Sequence, residues 1–108
     1  MNAKKELLKA LEGKALVKCA TIYQEDSSYN SINRENLPIN YTAESYNRFF
    51  EKLDFEYDNS WGCQELFGTI WLEDGTWLSR AEYDGSEWWR HNKLPEIPNE
   101  LLKTNNHG

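Results

Sequence analysis

Three carboxylates crowd one short stretch of the chain, Glu82, Asp84 and Glu87. Paired carboxylates are the chemistry of glycoside cleavage, one acting as acid and the other as base or nucleophile. That chemistry needs them about 5–10 Å apart across a cleft that holds a sugar. Here they flank an Asp84-Gly85 turn between two strand-like runs, and a small meander offers no such cleft. His91 is the one histidine inside a predicted element, and no nucleophile is spaced to partner it. Cys19 and Cys63 share no metal-ligand spacing with His91 or His107. No Gly-rich phosphate loop or nucleophile elbow is present. The expectation is a protein with no catalytic residue, no metal and no cofactor, one that binds rather than catalyses.

Two cysteines do not make a disulfide framework, and both read as small buried apolar residues, with a bridge between them left open by spacing alone. The formal charge of −6 is spread unevenly. Residues 1–50 carry seven Lys/Arg against six Asp/Glu, whereas residues 51–100 carry four against twelve. An acidic half repels phosphate and anionic lipid, which disfavours direct nucleic-acid or membrane binding, and it attracts basic protein surfaces. No apolar run approaches the roughly 20 residues of a membrane span, and the charged segment Met1 to Glu12 does not read as a secretory leader. The expected location is the cytoplasm.

The elements that must position these residues form one domain. Ala3 to Leu11 reads as a helix with Leu7, Leu8 and Leu11 on one stripe and Gly13 to stop it. Lys14 to Gln24 reads as a strand whose inner face the alternation leaves ambiguous. Residues 25–41 read as a long polar loop, with an edge strand near Leu37 to Tyr41. Thr42 caps a second helix, Ala43 to Leu53, whose Tyr46, Phe49, Phe50 and Leu53 share a core-facing stripe. Asp74-Gly75 and Asp84-Gly85 then mark two hairpin turns. They predict a meander over Glu65–Glu73, Thr76–Tyr83 and Ser86–Asn92, preceded by a short strand near Phe55–Tyr57. Pro98 to Lys103 reads as a closing helical turn. The predicted fold class is α+β: an antiparallel meander of three to five strands with two helices packed on one face.

Two-residue turns would pair Trp71 with Leu78, Ile70 with Ser79, and Arg80 with Trp89. On that register the inner face holds Leu66, Gly68, Ile70, Leu72, Trp77, Ser79, Ala81, Tyr83 and Trp88, with Gly68 and Ala81 clearing space for the Trp88 indole. The other face holds Phe67, Thr69, Trp71, Leu78, Arg80, Glu82, Glu87, Trp89 and His91, with Arg80 placed for cation–π stacking on Trp89. Two readings stand for the large rings of this second face: an ordinary second core, or an exposed aromatic patch ringed by acid. On the second reading the partner-binding residues are Phe67, Trp71, Arg80, Glu82, Glu87 and Trp89, with Asp74 and Asp84 in the turns.

Trp71, Asp74-Gly75 followed by Trp77, Asp84-Gly85 followed by Trp88-Trp89, and the trailing Pro95 to Pro98 resemble small acidic proteins encoded by phages and prophages. The resemblance covers about residues 54–101. It implies an accessory protein acting against host defence, of anti-CRISPR or anti-restriction type. The expected partner is then a basic protein surface on a host nuclease or CRISPR effector. An immunity or antitoxin-type protein, and a self-associating phage component that forms a homodimer, remain as alternatives.

Overall fold

Asn2 accepts a hydrogen bond from the Lys5 amide through its side chain and so opens the first helix, α1 (Ala3–Leu11). Gly13 ends it at a φ of +73°. Thr42 and Ser45 form a reciprocal capping box at the head of α2 (Ala43–Lys52), where Thr42 Oγ1 accepts from the Ser45 amide and Ser45 Oγ from the Thr42 amide. Both helices stand where the sequence places them. The strands are β1 (Val17–Glu25), β2 (Ser31–Leu37), β3 (Leu66–Leu72), β4 (Trp77–Tyr83) and β5 (Ser86–Asn92), and a short α3 (Asn99–Leu102) follows. The computed structural model describes residues 1–26, 28–58 and 63–102. His107 and Lys103 lie outside them.

The fold is α+β. One five-stranded antiparallel sheet has the order β2-β1-β3-β4-β5, and α1 and α2 pack against one of its faces. Ala3, Leu7, Phe49, Phe50 and Leu53 from the helices join Ala20, Ile22, Leu37, Ile70, Leu72, Leu78 and Trp89 from the strands in one buried cluster. Among the described residues, no helix is long and apolar enough to cross a membrane.

Several expectations are corrected. The segment expected as a loop over residues 25–41 contains β2, which forms a hairpin with β1 and lies earlier than the edge strand predicted near Leu37 to Tyr41. Its run of polar residues suits the outermost position in the sheet, where one backbone edge meets water. Near Phe55–Tyr57 there is only an isolated bridge, Asn2 to Glu56. Neither cysteine forms a disulfide; Cys19 is half-buried and Cys63 is exposed, so the expectation that both are buried fails for Cys63.

The first hairpin carries the largest correction. In the second, Asp84 and Gly85 both take positive φ, +53° and +88°, and Tyr83 pairs with Ser86 as predicted. In the first, Gly75 takes positive φ and Asp74 does not. The loop is three residues long, closed by the Leu72 amide on the Thr76 carbonyl at 2.9 Å and the Gly75 amide on the Leu72 carbonyl at 3.2 Å. Trp71 therefore pairs with Trp77, and Ile70 with Leu78, one residue away from the predicted register. A slip of one residue exchanges faces for a whole strand, and β5 follows β4. Leu78, Arg80 and Trp89 turn toward the helices; Trp77, Ser79, Ala81 and Trp88 turn away. Gly68 does not make room for Trp88 either. A Cβ on it would lie 2.3 Å from the Thr21 carbonyl oxygen, so its bareness lets β1 and β3 approach.

Candidate functional site

The slip separates the eight residues expected to bind a partner. Arg80, Glu87 and Trp89 lie beneath the sheet, on the helix side. The Arg80 side chain is 2 % exposed and that of Glu87 is fully buried. The guanidinium sits over the Trp89 ring at 4.9 Å, so the predicted cation–π contact is present, in the interior. Arg80 Nη2 donates to Glu87 Oε1 at 2.5 Å and to the Tyr57 hydroxyl at 2.9 Å, and Nη1 donates to Glu6 Oε1 at 3.1 Å. Tyr57 in turn donates to Glu6. The Glu87 carboxylate also accepts the Glu65 and Leu66 amides at 2.8 and 3.0 Å. An inner face tolerates these charges because they pair with one another, although Arg80 Nε and Trp89 Nε1 stay buried without a hydrogen-bond partner. Burial pushes the Tyr57 hydroxyl well above its ordinary range, aided by its bond to Glu6 and opposed by the Arg80 charge. Burial pulls Arg80 down, but its bond to Glu87 and the charge of Glu6 outweigh this and hold it above its usual value.

The carboxylates that suggested acid–base chemistry do not converge. Glu87 is committed to Arg80, while Glu82 and Asp84 are exposed at the second turn. Asp74 serves its own hairpin: its carboxylate accepts the Thr76 amide at 3.0 Å and the Thr76 hydroxyl at 2.5 Å, which lower its pKa. His91 Nε2 lies 2.8 Å from Thr76 Oγ1. A His-Thr-Asp line thus exists that the sequence did not suggest, but the Thr76 proton points to Asp74 rather than to the imidazole. The line clamps a turn; it does not activate a nucleophile. Among the described residues, no group of three or more His, Cys, Asp or Glu is placed to hold a metal ion.

Phe67 and Trp71 remain on the face away from the helices, joined there by residues expected inside. Residues directly opposite in a ladder share a face, so the register lays the outward side chains in rows across the strands. One row runs Cys19, Trp71, Trp77 and Asn92. The next is polar: Asn36, Thr21, Thr69, Ser79 and Arg90. Beyond it Tyr23 stands beside Phe67, and Ala81 beside Trp88. Tyr23 and Phe67 stack at 5.2 Å with planes 10° apart, and the Arg34 guanidinium caps Tyr23 at 4.4 Å. Thr21 Oγ1 donates to Asn36 at 2.6 Å, and Asn92 Nδ2 donates to Ser79 Oγ at 2.8 Å.

Two aromatic bands therefore flank a furrow of small hydroxyl side chains. Trp71 is 43 % exposed and Trp88 is 42 % exposed, and no described helix lies over them. Along this face the charged strand positions include Arg34 and Arg90, with Glu25 at the far end of β1. The acid is gathered at the turns instead, Glu73 and Asp74 at one end of β4 and Asp84 at the other. Comparison of the chain with family models, with curated proteins and with solved structures finds no match.

Proposed function

We propose that this chain is a binding protein without chemistry of its own, which docks on a partner protein through the uncovered face of its sheet. The observation that carries this reading is the pair of aromatic bands on an otherwise complete α+β domain, with Trp71 and Trp88 more than two-fifths exposed. Large apolar patches of this kind mark interaction sites, and Trp, Tyr and Arg dominate interface hot spots. Acid at the turns on both ends of β4 sets a polar rim around the bands and steers a basic surface toward them.

The finer proposal is an anti-defence protein of phage origin, whose partner is a nucleic-acid-handling nuclease or CRISPR effector blocked at its basic surface. It is supported by the acidic balance of residues 51–100 and by the resemblance carried by the two Asp-Gly turns and their tryptophans. The test is affinity capture from bacterial lysate at low and moderate salt, comparing the wild type with Trp71→Ser and Trp88→Ser. Both positions are exposed, so these variants retain the fold, which circular dichroism verifies. The expected result is a basic nucleic-acid-binding protein held by the wild type, released by salt and lost in both variants. Capture indifferent to both tryptophans would remove the reading. Arg80 and Trp89 make poor probes, since their loss empties the interior.

A further inference from the structure

We propose that the segment following β5, residues 93–102, docks across the uncovered sheet face of a second copy of this chain. The inference rests on the reading of that face as a binding surface and names an occupant for it. Two unpartnered apolar surfaces stand on the same molecule. One is the aromatic face; the other is this arm, where Leu94 is 73 % exposed, Ile97 55 %, Leu101 74 % and Leu102 61 %.

The two are complementary in three respects. Pro95 and Pro98 give the arm a Pro-x-x-Pro spacing, and segments of that type dock in aromatic-lined grooves because the extended proline conformer is already low in entropy. In the arm Glu96 and Glu100 outnumber Lys93, while on the strand positions of the face Arg34 and Arg90 outnumber Glu25. In length, six residues at about 3.1 Å each cover about 19 Å, the span of four strand spacings of about 4.8 Å from β5 to β2. Single-stranded nucleic acid would also stack on such rings, but a chain of net charge −6 repels it. A two-fold exchange, in which each copy lends its arm to the other, uses both surfaces twice and leaves neither exposed.

The test uses the full chain in sedimentation equilibrium and light scattering from about 10 to 500 μM, the range of moderate affinities. One variant reverses the face, Arg34→Glu with Arg90→Glu; the other reverses the arm, Glu96→Arg with Glu100→Arg. All four positions are exposed, and circular dichroism verifies each fold. The wild type is expected to dimerise, each variant alone to associate about tenfold more weakly or worse, and an equal mixture of the two to recover a heterodimer. Leu94→Ser with Ile97→Ser is expected to abolish the dimer. A strict monomer throughout the range would overturn the proposal and leave the docking reading standing, provided partner capture still depends on Trp88. A dimer lost with Trp88→Ser but indifferent to the arm would also overturn it, and would assign the contact to two faces. Recovery only when both reversals sit in one chain would place the arm on its own copy, again overturning it. Tryptophan quenching by an oligothymidylate without any self-association would assign the face to nucleic acid.

Discussion

Arg80 meets two carboxylates, a phenol and an indole inside the domain, and the pieces it joins come from α1, the segment after α2, β4 and β5. Removing one partner of such a set strands the rest without solvent. Arg80→Met is therefore expected to lower unfolding free energy by about 3–5 kcal/mol, measured by urea denaturation. Arg80→Lys should rescue little, because one ammonium cannot reach Glu6, Glu87 and Tyr57 with the fixed fork of a guanidinium. The raised pKa of Tyr57 adds a pH dependence. The folded state keeps the neutral phenol beyond the point where the unfolded chain releases its proton, at a pH of about 10. Its contribution is complete below that pH and is lost as pH rises above it, by at most about 1.4 kcal/mol per pH unit. Urea midpoints between pH 8 and pH 11.5 should fall on the alkaline side, and Tyr57→Phe should flatten that fall while lowering the plateau.

Helices α1 and α2 and the second hairpin are legible in the sequence because their determinants are local: Thr42 before an apolar stripe, Gly13 after one, Asp84-Gly85 between strands. The first hairpin is not, because Asp-Gly serves two turns of different length, and Thr76, bonded to Asp74 in the folded loop, decides between them. Hydropathy could not arbitrate. Trp77, Ser79 and Ala81 look at least as suited to a core as Leu78 and Arg80, and only the long-range partners Glu6 and Tyr57 make Arg80 an inside residue. The reading of the faces inherits the error: Phe67 and Trp71 lie away from the helices as expected, whereas Trp77 and Trp88 are found outside only when the slip is known. The two glycines that shape this region should respond differently. Gly75→Ala meets no atom within 4 Å and should cost about 1–2 kcal/mol, for the left-handed backbone alone. Gly68→Ala drives a methyl group into the Thr21 carbonyl and should cost about 3 kcal/mol or more, because β1 must part from β3. Thermal denaturation of both variants ranks them.

Taken whole, the molecule separates charge and rings by face. Charge that would usually be left to water is gathered under the sheet, and rings that would usually be buried stand in the open. Acrylamide quenching should show this division: Trp71→Phe and Trp88→Phe should each remove a readily quenched part of the emission. Trp89, 9 % exposed, should contribute the protected part.

The tie between Glu6 and Arg80 spans 74 residues of sequence, and Glu87 lies beyond it. On a ribosome, the first helix leaves the exit tunnel well before Arg80 and Glu87, which complete the buried charge cluster that Glu6 joins. At about 5–20 residues per second, that wait is roughly 4–15 s. During it Glu6 has no guanidinium to meet, although the segment of Asp54 to Tyr57 that hydrogen-bonds Met1 to Ala3 has already been made. A stall in translation before Glu87 therefore leaves Glu6 and Tyr57 without the complete Arg80–Glu87 pair that closes their cluster.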